Sequence, residues 1–133
     1  MSEMKVVVLA GSFSDTGVVQ RIVDGLLVNK IPYEVFYCSA HRETARLLEI
    51  ITSQNTLTNV IFITLAGLSN ALSGVVSANT DHLVIACPIF ATPADYLVDI
   101  HSTLRMPSGV PVLTILSPEN CVLAIQRIIA TWE

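Results

Sequence analysis

The chain has 133 residues, 52% of them hydrophobic and only 14% charged, with a formal net charge of −4. That is the length of one domain, residues 1–133, and it can bury a core without disulfides or metal. The seven Lys and Arg residues form no cluster, which excludes the basic footprint of a nucleic-acid-binding protein. No run reaches the roughly 18 apolar residues that a membrane span needs, so no membrane partner is expected. No basic segment precedes an apolar stretch near residue 1, so no signal peptide is expected and the protein is read as cytoplasmic. Two causes together account for the apolar excess. Parallel strands are buried on both faces, and a homo-oligomer hides further surface.

In chain order, Lys5 to Ala10 reads as a buried strand. Gly11-Ser12-Phe13-Ser14-Asp15 turns into a helix with Val18, Ile22 and Leu26 on one row and Val19, Val23 and Leu27 on the next, ending near Asn29 and Lys30. Tyr33 to Cys38, aromatic and β-branched, is a second strand. Ser39-Ala40-His41-Arg42 leaves it for a helix in which Thr44, Leu47, Leu48 and Ile51 recur, fading in the polar run Thr52 to Thr58. Asn59 to Leu65 is a third strand, and Ala66 to Gly74 a small-residue turn that opens a helix over Ser69 to Ser77. His82 to Ala86 is a fourth strand, Asp95 to Leu104 a helix, Val110 to Leu116 a fifth strand. The last helix starts at Ser117 with Glu119 and Asn120, and Val122, Ile125, Ile128 and Ile129 share one of its faces. Strands alternating with helices predict an α/β fold. Its expected form is a three-layer α/β/α domain around a flavodoxin-like five-stranded parallel sheet, strand order 2-1-3-4-5, with right-handed crossovers.

In such sheets ligands bind where strands end and helices begin. The first turn supplies backbone N–H groups at a helix N-terminus from Gly11 onward, with hydroxyls from Ser12 and Ser14, which suits a phosphate. Asp15 has two readings, an N-cap of the first helix or an acceptor for a ribose diol. The second turn supplies Arg42, suited to bidentate phosphate contact, and His41, the best candidate for general acid–base work. The third turn lets a planar ligand approach the backbone, and its Asn70 is either a ligand contact or a helix cap. His82 precedes the fourth strand at the far edge of the sheet, and His101 lies beside Arg105 on a helix surface. Cys38, Cys87 and Cys121 are odd in number, widely spaced and without metal-ligand pattern, and read as small apolar fillers in a reducing compartment. Neither a GxxxxGK[S/T] loop nor a GxGxxG motif occurs. The residues thus point to a pocket for a phosphorylated small molecule, with no cofactor, no metal and one His as proton carrier.

Four stretches in register, Gly11-Ser12-Phe13-Ser14-Asp15, Ser39-Ala40-His41-Arg42, Ala66-Gly67-Leu68-Ser69-Asn70-Ala71-Leu72-Ser73-Gly74 and Leu104-Arg105-Met106-Pro107-Ser108-Gly109, resemble the PurE family of purine biosynthesis from about Lys5 to Ala130. The Ser-Asn-Ala-Leu-Ser-Gly and Leu-Arg-Met-Pro-Ser-Gly stretches are similar to its class II branch. That branch carboxylates 5-aminoimidazole ribonucleotide (AIR) with CO2 to 4-carboxy-5-aminoimidazole ribonucleotide (CAIR). The resemblance implies no biotin, ATP or metal, and a homo-octamer with sites near subunit boundaries. It implies that His41 moves the proton, and that Ser12, Asp15, Ser39 and Arg42 bind the ribose phosphate portion. The expected substrate-contact set is Gly11, Ser12, Ser14 and Asp15, then Ser39, Ala40 and Arg42, then Ala66, Gly67, Ser69, Asn70 and Leu72. Arg42 stands where class II members usually have Lys, as in the branch that isomerises carboxyaminoimidazole ribonucleotide, so a mutase is the alternative enzyme. Leu68 stands where they usually have Arg, and the sequence ends at Glu133, where members commonly continue into another helix. These two features motivate the alternative from another class, a catalytically silent nucleotide-binding or subunit-interaction homologue.

Overall fold

Strand and helix alternate through the computed structural model, which describes residues 4–132. The elements are β1 (Lys5–Ala10), a 3-10 turn (Phe13–Asp15), α1 (Thr16–Val28), β2 (Tyr33–Tyr37), α2 (Thr44–Gln54), β3 (Val60–Leu65), α3 (Ala71–Ala78), β4 (Leu83–Ala86), α4 (Pro93–Leu104), β5 (Leu113–Thr114) and α5 (Pro118–Ala130). All pairings are parallel and the strand order is β2-β1-β3-β4-β5, the expected flavodoxin-like order. β3 is central and β1 lies beside it in the interior, with Val8 opposite Val35 on one side and Ile63 on the other.

The period-2 geometry of a strand sends successive side chains to opposite faces, and β1 is apolar on both. Val6, Val8 and Ala10 join Ile61, Ile63 and Leu65 beneath α1 and α5, where Ile22, Leu26, Cys121 and Ile125 complete one core. Val7 and Leu9 join Phe62 and Val84 on the other face beneath α2 and α3, with Leu47, Ile51, Leu72 and Val76. α4 packs alongside α3 on that second side. The layers are therefore helix, sheet, helix. All three cysteines are buried thiols, as their reading as core fillers requires.

Three elements differ from the periodicity by two residues or more. β5, expected over 110–116, pairs only at Leu113 and Thr114. Pro111 has no N–H to give the ladder, and the Val110 N–H turns back to the Pro107 carbonyl at 3.2 Å. α3 begins at Ala71 rather than Ser69, because Asn70 caps it from outside the helix. α4 begins at Pro93, two residues early, because Thr92 accepts the Asp95 N–H at 3.1 Å and Pro suits the first helical position.

The α1–α5 contact is tight enough to test with one atom. A Cβ placed on Gly25 would stand 3.0 Å from a Val122 methyl, whereas one on Gly17 meets nothing within 4 Å. Gly25→Ala is expected to lose about 1 kcal/mol net, overpacking outweighing the gain in helix propensity. Gly17→Ala is expected to gain about 0.5 kcal/mol from the unfolded state alone. Urea midpoints of the two variants, moving in opposite directions from wild type, check this.

Candidate active site

Where neighbouring crossovers leave a doubly wound sheet on opposite sides, a crevice opens beyond the carboxyl ends of the strands. Here β1 is that point, flanked by β2 and β3. The turns after these strands line a cavity of about 500 Å³ with Gly11, Ser12, Ser14 and Asp15, with Ser39, His41 and Arg42, and with Gly67 and Leu68. A narrower annex of about 230 Å³ shares Gly11, Ser12, Ser39 and Arg42 and adds Phe13, Tyr37, Cys38 and Glu43.

The first turn is fixed by its own hydroxyls. Ser12 is extended (φ −152°, ψ 148°) and its Oγ accepts the Ser14 N–H at 3.2 Å, capping the 3-10 turn. The Ser12 and Ser14 hydroxyls are 2.9 Å apart. The Thr16 hydroxyl donates to the Phe13 carbonyl at 2.6 Å. Asp15 does not cap α1 with its side chain. The 3-10 turn runs straight into the helix, so Asp15 is already near helical backbone (φ −86°, ψ 4°), whereas a capping residue needs the extended region. Its carboxyl is left for the cavity. Burial pushes that carboxyl above the ordinary carboxylate range, with the Ser12 backbone opposing in part.

The second turn is held by its backbone and its flanks, which leaves two side chains uncommitted. Arg42 N–H donates to Ser39 Oγ at 3.1 Å, and Glu43 N–H to the Ser39 carbonyl at 2.8 Å. Thr44 Oγ1 donates to the Ala40 carbonyl at 2.6 Å, and Ser39 N–H to Glu43 Oε1 at 3.4 Å. His41 and Arg42 are exposed at the cavity. Arg21 and Arg46 are paired with Glu119 and Glu43, whereas Arg42 is in no ion pair among the described residues. Phe13 stacks on Tyr37 with ring centroids 4.7 Å apart and forms the aromatic wall of the annex.

The third turn divides the expected contact residues. Gly67 lines the cavity, and a Cβ there would just touch the Ile89 carbonyl, at 3.4 Å. Leu72 is fully buried in the α2–α3 core, Ala40 is buried in the same core, and Ala66 packs against it. Ser69 is exposed but outside the cavity lining. Asn70 is buried and acts as the helix cap. Its Oδ1 accepts the Ser73 N–H at 3.0 Å while its Nδ2 donates to Ser73 Oγ and Thr103 Oγ1 at 2.8 and 2.9 Å. With its amide so satisfied, the cap reading of Asn70 replaces the ligand reading. The sequence reading missed Phe13, Tyr37 and Glu43 of the annex. The one available signal for them was their place one residue from Ser12, Cys38 and Arg42.

The two other histidines lie elsewhere. His82 Nε2 meets the Gln54 carbonyl at 3.1 Å at the opposite edge of the sheet, and His101 is on the exposed side of α4. A polar cavity of about 370 Å³ beside His82 is lined by Asn55, Asn79 and Thr80. These groups already bond one another, Asn55 Nδ2 to the Asn79 carbonyl and Thr80 Oγ1 to Asn55 Oδ1. Among the described residues no cluster of His, Cys, Asp or Glu could hold a metal, and no helix is long and apolar enough to cross a membrane.

The AIR carboxylase family profile matches residues 5–133. A phosphoribosylaminoimidazole carboxylase from Archaeoglobus fulgidus is 41% identical over 127 residues, 96% of this chain and 69% of that protein. A second, from Treponema denticola, is 36% identical over 131 residues, 96% of this chain and 80% of that protein. The crystal structure of Treponema denticola PurE superposes with a TM-score of 0.90 at 35% identity, over 98% of this chain and 83% of that one.

Proposed function

The chain belongs to the AIR carboxylase family, and on that footing we propose that it carboxylates 5-aminoimidazole ribonucleotide with CO2 to CAIR in purine biosynthesis. The observation that carries this reading is the convergence at one cavity of serine hydroxyls, a guanidinium without an ion-pair partner among the described residues, the Asp15 carboxyl and one imidazole. Ser12, Ser39 and Arg42 hold the phosphate, and Asp15 accepts from the ribose diol. The Gly11 and Gly67 backbones let the planar base approach closely.

The chemistry asks little more of the protein. The ring carbon of an aminoimidazole is enamine-like and attacks the carbon of CO2, forming one C–C bond. The adduct carries one proton too many on that ring carbon. His41 removes it, the electron pair returns to the ring, and aromaticity is restored. A positioned general base contributes about 10²–10⁴-fold. In reverse, the same imidazole protonates the ring carbon of CAIR and CO2 leaves. Incubating the purified protein with CAIR should therefore release CO2 and form AIR at a rate proportional to enzyme. Binding without turnover in either direction would move the assignment to a silent nucleotide-binding homologue.

Self-association belongs to the same reading. α4 leaves Leu97, Val98 and Leu104 exposed at 68%, 71% and 58%, a stripe too apolar to face water in a single copy. The assembly we propose is a homo-octamer. Light scattering should return about eight times the 14.4 kDa chain mass, and a stable 14.4 kDa species would contradict it.

A further inference from the structure

Leu68 has a left-handed backbone, φ +58°, and its side chain is 75% exposed at the cavity mouth. A leucine gains nothing locally from that conformation, since its Cβ crowds the following carbonyl. Such residues persist where the surroundings over-determine them, and they gather at functional sites. The surroundings here can be named. Upstream, Gly67 pairs with Ile89 as an isolated parallel bridge, and the Ile89 N–H donates to the Ala66 carbonyl at 3.0 Å. Downstream, the Asn70 side chain is anchored to Ser73 and Thr103 inside the core. Between these anchors stands the hydroxyl of Ser102 on α4. It accepts the Asn70 backbone N–H at 2.9 Å, and two carbonyls are within its reach as a donor, Asp99 at 2.8 Å and Leu68 at 3.4 Å.

We propose that Ser102, which does not line the cavity, is a positioning residue for it: its hydroxyl clasps the 66–70 loop to α4 and holds Leu68 in the left-handed turn that shapes the cavity mouth. Nothing in the catalytic chemistry uses Ser102. Its role is to keep the Gly67 and Leu68 backbone where the base of the ribonucleotide must lie. The inference rests on the carboxylase reading for its kinetic consequence and on geometry alone for the clasp. It also assigns a task to α4, which meets the 66–70 loop through Ser102 at the backbone and through Thr103 at the Asn70 side chain.

The test is a cycle of Ser102→Ala and Leu68→Gly in the full chain. Ser102 is half-buried, so its truncation leaves no large void. Glycine takes positive φ without strain and has less need of the clasp. Ser102→Ala should speed hydrogen exchange at the Asn70 amide and raise KM for the ribonucleotide by about tenfold, the loss of one hydrogen bond read as affinity, with kcat little changed. In the Leu68→Gly background the same substitution should raise KM by less than about threefold. An equal rise in both backgrounds, unchanged exchange at Asn70, or a lower melting temperature with wild-type KM would each overturn the proposal. A wild type that binds but does not turn over would instead sink the carboxylase reading. The cycle would then be read in dissociation constants by calorimetry, with the same two outcomes for Ser102.

Discussion

His41→Asn lowers kcat by about 10²–10⁴-fold and leaves KM for the ribonucleotide within about threefold. The asymmetry follows from how the turn is built. Its conformation is set by the Arg42 N–H on Ser39 Oγ, the Glu43 N–H on the Ser39 carbonyl and the Thr44 hydroxyl on the Ala40 carbonyl, none of which involves the imidazole. Removing the imidazole therefore disturbs neither the fold of the turn nor the groups that hold phosphate. Asn keeps a polar side chain at the cavity but cannot take the proton from the ring carbon and return it to water. The loss then appears in the step that moves the proton, at saturating substrate. His82→Asn and His101→Asn serve as controls, since one imidazole lies at the far edge of the sheet and the other on the outer side of α4. Both should keep wild-type kcat. A His41→Asn variant that turns over at the wild-type rate would remove His41 from the chemistry.

The sheet was legible because its interior strands are short and apolar on both faces, the pattern of a parallel sheet covered on both sides. Val6 to Ala10 and Val60 to Leu65 are buried at every position, so neither periodicity nor environment competes there. Legibility fell at the edge. β5 has one neighbour, and Pro111 removes a donor, so the apolar run 110–116 overstated a strand that tertiary pairing supports at Leu113 and Thr114 alone. The site turns divided for a different reason. Asp15 and Asn70 are both small polar residues just ahead of a helix, and sequence offers each the same two roles. What separates them is backbone geometry. Ser12 caps the 3-10 turn and draws Asp15 into helical backbone, which frees its carboxyl, whereas Asn70 stays outside α3 and binds the Ser73 N–H. No local pattern carries that information, because the Thr103 and Ser102 hydroxyls that complete Asn70's bonding come from about 30 residues away. Leu68 was visible as a departure from a family pattern. Its left-handed φ was not, since leucine is among the residues least expected there.

Arg42→Ala is expected to weaken ribonucleotide binding by about 10- to 100-fold, the value of charge-assisted hydrogen bonds to a dianion, with kcat at saturation nearly unchanged. The chain has few cations, and Arg46, one helical turn beyond Arg42, is committed to Glu43 at 3.2 Å, while Lys5 lies at the opposite edge of the sheet, paired with Glu34 at 2.6 Å. Among the described residues, Arg42 alone lines both the main cavity and the annex as a cation without an ion-pair partner, so substrate phosphate meets no competing carboxylate for it. The hydroxyls of Ser12 and Ser39, the neutral phosphate donors of the proposal, still line the cavity in the variant, so binding is expected to be weakened rather than lost. Arg42→Lys should recover part of the affinity, since it restores the charge but not the planar fork that meets two oxygens together. Salt gives an independent reading. The wild-type dissociation constant should rise with ionic strength more steeply than that of Arg42→Ala, because the guanidinium is exposed and screened. If the alanine variant instead binds as wild type does at low salt, the phosphate does not depend on the guanidinium, and Arg42 leaves the binding set.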